Sequence, residues 1–266
     1  MDTKKTIAKY KLISIVVIVI YILFSVALVL LEEDVFQLIA PNSSFQGINF
    51  WIVFLIAGVL VMAYFGYHIL IQNMIVKILR EQCLPKEYRE VYLALTPKRN
   101  LIGISIVNMT TDFMMGNFEA AKVRCYEALQ TSKHIAVRQN AYSILAQIYL
   151  ITEDVDNLIR LRETAMIGTK HQKYGMVYQR IVNSASAFID FLRGETSVML
   201  GAYSRSRELC KTKSDLYISL FYYALALVKN GNIEQAIPIF EELITKANGL
   251  FVSNFSKLAL ITIVTE

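Results

Sequence analysis

Two stretches of the chain contain no Asp, Glu, Lys or Arg and consist almost wholly of apolar residues. Leu12–Leu31 has 20 residues and Phe50–Ile71 has 22. At about 1.5 Å of rise per residue, a helix of either length crosses the ~30 Å hydrocarbon core of a bilayer. The pattern therefore predicts two transmembrane helices, at 12–31 and 50–71, separated by a short loop at 32–49.

The charges around these stretches predict their orientation. Four lysines precede the first stretch, the loop has acids at Glu32, Glu33 and Asp34 and no base, and basic residues follow the second stretch. Lys and Arg in short flanking segments stay on the cytoplasmic side. We therefore expect a cell-membrane protein with two spans, a cytoplasmic N-terminal tail at 1–11, an external loop and a cytoplasmic C-terminus.

The first stretch and His68 each allow a second interpretation. The first stretch is longer than the apolar part of a signal peptide and lacks small residues before Glu32, so we expect retention rather than cleavage. His68, the ionisable residue of the second stretch, has no acidic or histidine partner in either stretch. We interpret it as an interfacial histidine, with a proton relay as the alternative.

After residue 76 the apolar residues recur at intervals of three and four, as at Ile144, Ile148, Ile151 and Val155. No alternating pattern of the kind that strands show recurs there. The pattern predicts an all-α fold. Residues 72–100 should form juxtamembrane linking helices that break at Pro85, and residues 101–266 should form a helical domain that ends in a capping helix, Leu250–Thr265.

Short turns break these helical segments at regular intervals. The breaks fall at Gly116, Glu153, Gly194 and Gly231, which are 37, 41 and 37 residues apart. Periods of this length indicate stacked helical hairpins, each with two antiparallel helices. Glycine suits such a turn because it adopts the left-handed backbone conformation without a steric penalty.

The residues around these turns resemble the tetratricopeptide repeat (TPR). In that family a small residue precedes the turn glycine by seven positions, and small, aromatic and small residues follow it by five, nine and twelve. The first and last units match well, whereas the second has Glu153 and Arg162 at two of these places. The corresponding residues are Met109, Gly116, Ala121, Cys125 and Ala128; Ala146, Leu158 and Ala165; Ala187, Gly194, Met199, Tyr203 and Ser206; and Ala224, Gly231, Ala236, Phe240 and Leu243.

This resemblance implies a solenoid of about four α-hairpin units plus a capping helix, with another kind of α-hairpin solenoid as the alternative. In the family, the first helices line a concave groove that holds a peptide. Members that grip a C-terminal carboxylate use Lys, Asn and Arg there, and this chain lacks that set. The groove should therefore be apolar and aromatic, covered either by a partner or by the chain's own linking or capping helix. The candidate groove residues are Ile106, Thr110, Phe113, Ser143, Gln147, Leu150, Ser184, Phe188, Phe191, Phe221, Leu225 and Val228.

We make predictions for three further parts of the sequence. Pro238 falls inside the second helix of the last unit and should bend or destabilise it. The capping segment is unusually apolar, so contact with a partner or a second protomer is an alternative to capping. Gly168–Gly175 is a basic segment that we interpret as an ordinary loop between units, with contact to an anionic lipid or a phosphorylated partner as the alternative.

Composition and motifs add little further chemistry. The net charge of +5 lies wholly on residues 76–266, where we interpret it as ordinary surface charge. Cys83, Cys125 and Cys210 are scattered, which fits a reducing cytosol. No phosphate-binding loop, dinucleotide-binding, zinc-protease or serine-hydrolase motif is present, the histidines are isolated, and the aromatic residues have core spacing. We therefore expect no catalytic site, cofactor, metal or nucleic-acid ligand.

These observations together predict a non-catalytic, membrane-anchored scaffold or adaptor. Its cytoplasmic repeat domain would bind a protein or peptide partner at the membrane face. The alternative is an accessory subunit of a membrane transport or secretion complex, whose two spans pack on partner helices.

Overall fold

A computed structural model describes residues 4–8, 10–22 and 46–265. These residues form helices joined by short connections, and none of them lies in a strand. The predicted all-α class is therefore confirmed for the described part of the chain. The chain forms two compact units, Met1–Val76 and Lys77–Glu266.

The described part of the first unit includes helices α1 and α2. Helix α1 covers residues 10–22, and α2 covers Gln46–Arg80, whose last residues belong to the second unit. The Ser14 and Tyr67 hydroxyls hydrogen bond at 3.0 Å and so join α1 to α2. When only the described residues are considered, no helix is both long and apolar enough to cross a membrane. Residues 23–31 of the first predicted span, residues 32–45 of the predicted loop and the His68 side chain lie outside the described residues.

The second unit begins with the last turn of α2. Pro85 starts the next helix at its first position, where proline removes no helical hydrogen bond. The Asn100, Asp154 and Thr212 side chains each accept a hydrogen bond from a first-turn amide and so cap a helix. The helices are α3 (Pro85–Leu95), α4 (Leu101–Met114), α5 (Phe118–Thr131), α6 (Ile135–Ile151), α7 (Val155–Thr169), α8 (Gly175–Leu192), α9 (Ser197–Tyr203), α10 (Ser206–Leu209), α11 (Lys213–Lys229), α12 (Ile233–Lys246) and α13 (Phe251–Thr265).

Each helix of the second unit packs mainly on its neighbours in sequence. Helices α4 and α5, α6 and α7, α8 and α9, and α11 and α12 form four helical pairs. The second helix of each pair also packs on the first helix of the next, and α4 with α6, α6 with α8, and α11 with α13 are in contact. The predicted capping segment forms α13, which packs on α12.

The four predicted hairpin turns are present and share one backbone geometry. Gly116, Glu153, Gly194 and Gly231 have φ angles of 81°, 54°, 101° and 79°, all in the left-handed region. In each turn the next residue donates its N–H to the carbonyl five residues earlier, at 2.8–2.9 Å. This bond satisfies a carbonyl that the helix end leaves free and closes a Schellman turn.

Most residues at the repeat positions are buried between the paired helices. Ala121, Ala224 and Ala236 have no exposed surface, and Phe240 is also fully buried. Small side chains there let the backbones of paired helices approach closely. Ala187 departs from this rule because it is half-buried, although Ala128 and Ala146 follow it. The third pair also departs, because its second helix is interrupted between α9 and α10.

One buried carboxylate fixes α3 to the first hairpin. Asp112 of α4 is 3% exposed and accepts hydrogen bonds from Arg89 of α3 and Arg124 of α5, both at 2.6 Å. A buried charge is tolerated only when it is paired and hydrogen-bonded, and both conditions are met here. The linking helix is therefore attached to the first hairpin by charge as well as by apolar contact.

Two local features bear on stability. Pro238 lies inside α12 on an exposed position, and α12 continues to Lys246. Gly249, in the α12–α13 connection, lies against the backbone of Cys83, so closely that a Cβ there would be 1.9 Å from the Cys83 carbonyl oxygen. The last connection of the domain is therefore fixed against the segment that precedes α3.

Replacing Glu153 by glycine should stabilise the chain. Its left-handed conformation strains any residue with a Cβ, and glycine removes that strain. We expect the free energy of unfolding to rise by about 1 kcal/mol, measured by urea unfolding of the full chain in detergent with circular dichroism. As a control, Asp156→Gly in the first turn of α7 should lower it by a similar amount. A loss of stability in Glu153→Gly would contradict the left-handed turn.

Replacing Gly249 by alanine should destabilise the domain. The new methyl group would overlap the Cys83 carbonyl, and backbone would have to move to accommodate it. We expect a loss of about 2 kcal/mol in the same unfolding measurement. Gly201→Ala is the matched control, because nothing lies within 4 Å of a Cβ there and alanine favours the helix. Equal stability of the two variants would contradict the contact.

Candidate interaction surface

The predicted groove residues are divided between two cavities of the second unit. Thr110, Phe113, Gln147 and Phe188 line a cavity of about 370 Å³ among α4, α6, α8, α9 and α11, which we call the central cavity. A second one of about 480 Å³, the lateral cavity, lies among the ends of α6, α8 and α11 and one face of α13. Its groove residues are Leu150, Phe191, Phe221, Leu225 and Val228. Ile106 lines neither cavity.

Hydrogen-bonding side chains make up much of the wall of the central cavity. The buried Tyr222 hydroxyl donates to the Gln147 side-chain oxygen at 3.2 Å and thereby links α11 to α6. The predicted lining residues Ser143 and Ser184 are exposed at the wall. The cavity is therefore more polar than the apolar and aromatic groove expected from the sequence.

The two tyrosines of the central cavity stay uncharged. Burial raises the pKa of Tyr203 to about 12, and burial raises the pKa of Tyr222 well above its ordinary value, with Tyr203 adding to the effect. Both phenols are therefore neutral hydrogen-bonding groups at any physiological pH. Tyr203 was expected to fill space between helices, and it also lines this cavity.

Among the described residues, Asp215 is the one charged residue that lines the central cavity, and no Lys, Arg or His of these residues lies beside it. Its carboxylate accepts a hydrogen bond from the Thr212 hydroxyl at 2.7 Å. The described wall can thus exchange hydrogen bonds with uncharged groups and offers no cation to attract an anion. These properties suit peptide amides and carbonyls more than a free carboxylate.

The lateral cavity is mainly apolar. Phe191, Leu225 and Val228 face Phe255 and Leu258 of α13 across it. Lys229 lies at its wall, where its ammonium donates to the Leu192 carbonyl at 3.1 Å and lies 4.8 Å from the centre of the Phe191 ring. This cavity matches the apolar character that the sequence predicted for the whole groove.

An aromatic cluster from α13 contacts residues of both cavities. Phe251 is 1% exposed, and its ring centre lies 5.1 Å from that of Phe113, 5.5 Å from that of Phe118 and 5.9 Å from that of Phe221. Phe255 packs against the same cluster. The chain's own C-terminal helix therefore occupies part of the predicted groove.

Several lining residues were missed from the sequence. Asn140, Asp215 and Ser219 lie outside the three positions per first helix that the repeat pattern selects. Tyr222 was missed because its neighbour Phe221 was chosen for the same helix turn. The hydrophilic residues of α6 and α11 at helical spacing were the available signal, since they lie on helices with otherwise apolar faces.

Burial raises the pKa of three reactive side chains outside the central and lateral cavities, Cys83, Cys125 and Tyr149. Burial raises the pKa of the Cys83 thiol to about 11 and that of the Cys125 thiol to about 12. The Tyr126 and Tyr149 hydroxyls are in hydrogen-bonding contact, and burial together with this contact raises the pKa of Tyr149. Within the described ranges, no group of three His, Cys, Asp or Glu side chains is placed to hold a metal ion.

The described residues form an all-α protein in which successive helical pairs leave an open cavity lined by hydrogen-bonding as well as apolar side chains. No protein-family model, no curated protein and no solved structure matches the chain.

Replacing Phe251 by alanine should test whether α13 closes the groove. The substitution removes a buried ring that contacts α4, α5 and α11, so we expect the free energy of unfolding to fall by about 3–5 kcal/mol. Leu258→Ala, at an exposed position of the same helix, should cost less than about 0.5 kcal/mol. Thermal unfolding of both variants checks this, and a tolerated Phe251→Ala would show that α13 does not pack there.

Proposed function

We propose that the chain is a non-catalytic scaffold that is anchored in the membrane and binds a protein or peptide partner in its cytoplasmic domain. The observation that carries this proposal is the central cavity. Its wall comes from the first helices of all four helical pairs and presents uncharged hydrogen-bonding side chains. Such a surface binds a polypeptide main chain well, because each buried amide or carbonyl of the ligand needs a partner.

A TPR-like solenoid of four units and a capping helix is the architecture that we propose for this domain. Three features support it: the common Schellman geometry of the four turns, the packing of each pair on the next, and the burial of small residues at the repeat positions. In a solenoid each unit contacts mainly its neighbours, as these helices do. Another α-hairpin array would share these features, so the TPR resemblance rests on the sequence positions.

The proposed membrane anchor is supported by the sequence. Its two uncharged stretches have the length of membrane-spanning helices, and their flanking charges place both termini in the cytoplasm. Large apolar side chains are also exposed on the described parts of α1 and α2, among them Ile15, Ile18, Met62 and Leu70. In water such side chains are seldom exposed in a continuous set, whereas lipid solvates them.

The alternative proposal is an accessory subunit of a membrane transport or secretion complex. The same exposed side chains of α1 and α2 favour it, because helices of a partner cover such surfaces as well as lipid does. The exposed Leu258, Ile261 and Val264 on α13 offer a further surface for a partner or for a second protomer.

Membrane anchoring predicts a defined set of labelling results. The full chain should stay with the membrane fraction through an alkaline carbonate wash, because transmembrane helices are not removed by pH. A cysteine placed at Ser43 should react with an impermeant maleimide added outside intact cells, whereas Cys210 should react only after the cells are opened. Labelling of Cys210 from outside would contradict the orientation.

Peptide binding in the central cavity predicts site-specific crosslinking. A photoreactive benzoyl-phenylalanine at Ser184, which lines the cavity and is exposed, should capture a partner polypeptide in membranes that contain the full chain. The same group at Glu163, exposed on α7 and outside the cavity, is the matched control. Equal capture at both positions would contradict a binding role for the cavity.

The two proposals differ in what the spans must recognise. Replacing both predicted spans by unrelated apolar helices should leave capture at Ser184 unchanged if the chain is a scaffold. The replacement should abolish assembly if the spans pack on partner helices. The measurement is the yield of the crosslinked product relative to the unaltered chain.

A further inference from the structure

The connections that precede the first helix of each pair are basic, whereas the turns within the pairs are neutral or acidic. Residues 96–100, 132–134, 170–174 and 210–212 join α3 to α4 and each of the first three hairpins to the next, and they contain no acid. Their bases are Lys98, Arg99, Lys133, Lys170, Lys173 and Lys211. The turns within the hairpins, at 115–117, 152–154, 193–196 and 230–232, contain Glu153, Asp154 and Glu195 and one base, Arg193.

Three of the basic connections share one edge of the helical array. Helices α3 to α8 pack on each other through connections of a few residues, and short connections make packed neighbours antiparallel. The connections 96–100, 132–134 and 170–174 therefore lie at one end of these helices, and the turns 115–117 and 152–154 lie at the other. We call the end with the three connections the basic edge. The connections 210–212 and 247–250 of the last hairpin are not part of it, because Phe251, which directly follows 247–250, lies against Gly116 at the opposite end.

The charges of the basic edge are available to a ligand. Its five basic side chains, Lys98, Arg99, Lys133, Lys170 and Lys173, are exposed, and none of them forms a salt bridge with a described residue. By contrast, Arg124, Arg205 and Arg207 are each paired with a carboxylate. The positive charge of this edge is therefore concentrated and not neutralised from within.

Exposed aliphatic side chains lie beside these charges. Leu101 is 73% exposed next to the 96–100 connection, and Ile167 and Met176 are 75% and 81% exposed on either side of 170–174. Two of the three connections of the basic edge thus combine positive charge with exposed apolar side chains. A lipid headgroup layer can bind both kinds of side chain, because it presents anionic groups above hydrocarbon.

We propose that the basic edge docks on the anionic headgroups of the leaflet that faces the domain. The lysines and Arg99 approach the headgroup charges, and Leu101, Ile167 and Met176 enter the interface. Docking of this kind rests on the proposed membrane anchor, which keeps the domain beside one leaflet.

The test uses the full chain reconstituted in vesicles of phosphatidylcholine, with or without phosphatidylserine. Amide hydrogen exchange of the segments 96–103 and 164–178 is measured by mass spectrometry. With phosphatidylserine, exchange in both segments should slow by about fivefold or more. About 1 M NaCl should restore most of the exchange, because it shortens the range of the attraction to about 3 Å.

Two variants distinguish the effect of the bases on the basic edge from the effect of the overall charge of the domain. Lys98→Gln, Arg99→Gln, Lys170→Gln and Lys173→Gln together should abolish the protection by phosphatidylserine. The control neutralises four exposed bases away from the basic edge and should keep that protection. Its substitutions are Lys86→Gln, Arg160→Gln, Arg193→Gln and Lys257→Gln.

The outcomes distinguish docking from anchoring. Equal exchange with and without phosphatidylserine, or equal loss of protection in both variants, overturns docking through this edge even when the chain is anchored. A chain that leaves phosphatidylcholine vesicles in an alkaline carbonate wash is not anchored. In that case, binding to vesicles that contain phosphatidylserine, with the same dependence on the four edge residues, still supports the docking.

Discussion

The fold of the second unit depends on one backbone conformation that recurs four times. At the end of α4, α6, α8 and α11, a residue with positive φ reverses the chain and lets the next amide reach back to a free carbonyl. The following helix then returns along the first, and small residues such as Ala121 and Ala236 become buried between the two. Because the reversal has the same geometry each time, the first helices follow one another in contact and leave the central cavity between them.

Packing of α13 gives the cavities their different characters. Phe251 inserts between Phe113 and Phe221, which belong to the first and the last helical pair. The apolar part of the predicted groove thus faces α13, while the polar part faces the space lined by Gln147 and Tyr222. The central cavity thus combines hydrogen-bonding groups with apolar surface, whereas the lateral cavity is mainly apolar.

Local chemistry made much of the fold predictable. Glycine at three of the turns, the regular interval that placed Glu153 at the fourth, and Pro85 at a helix start each depend on neighbouring residues alone. The division of the groove depends on contacts between residues far apart in the chain, such as Phe113 and Phe251, and no local pattern encodes them. For the same reason the sequence did not reveal that Asp112 is buried between two arginines, since its partners lie 23 residues before and 12 residues after it.

The contact between Cys83 and Gly249 has a mechanical consequence. The segment that enters the domain is held by the first hairpin through the pairing of Arg89 with Asp112, and it also abuts the last connection at Gly249. A shift of the segment before α3 would therefore disturb the first hairpin and the α12–α13 connection together, although these lie far apart in the sequence.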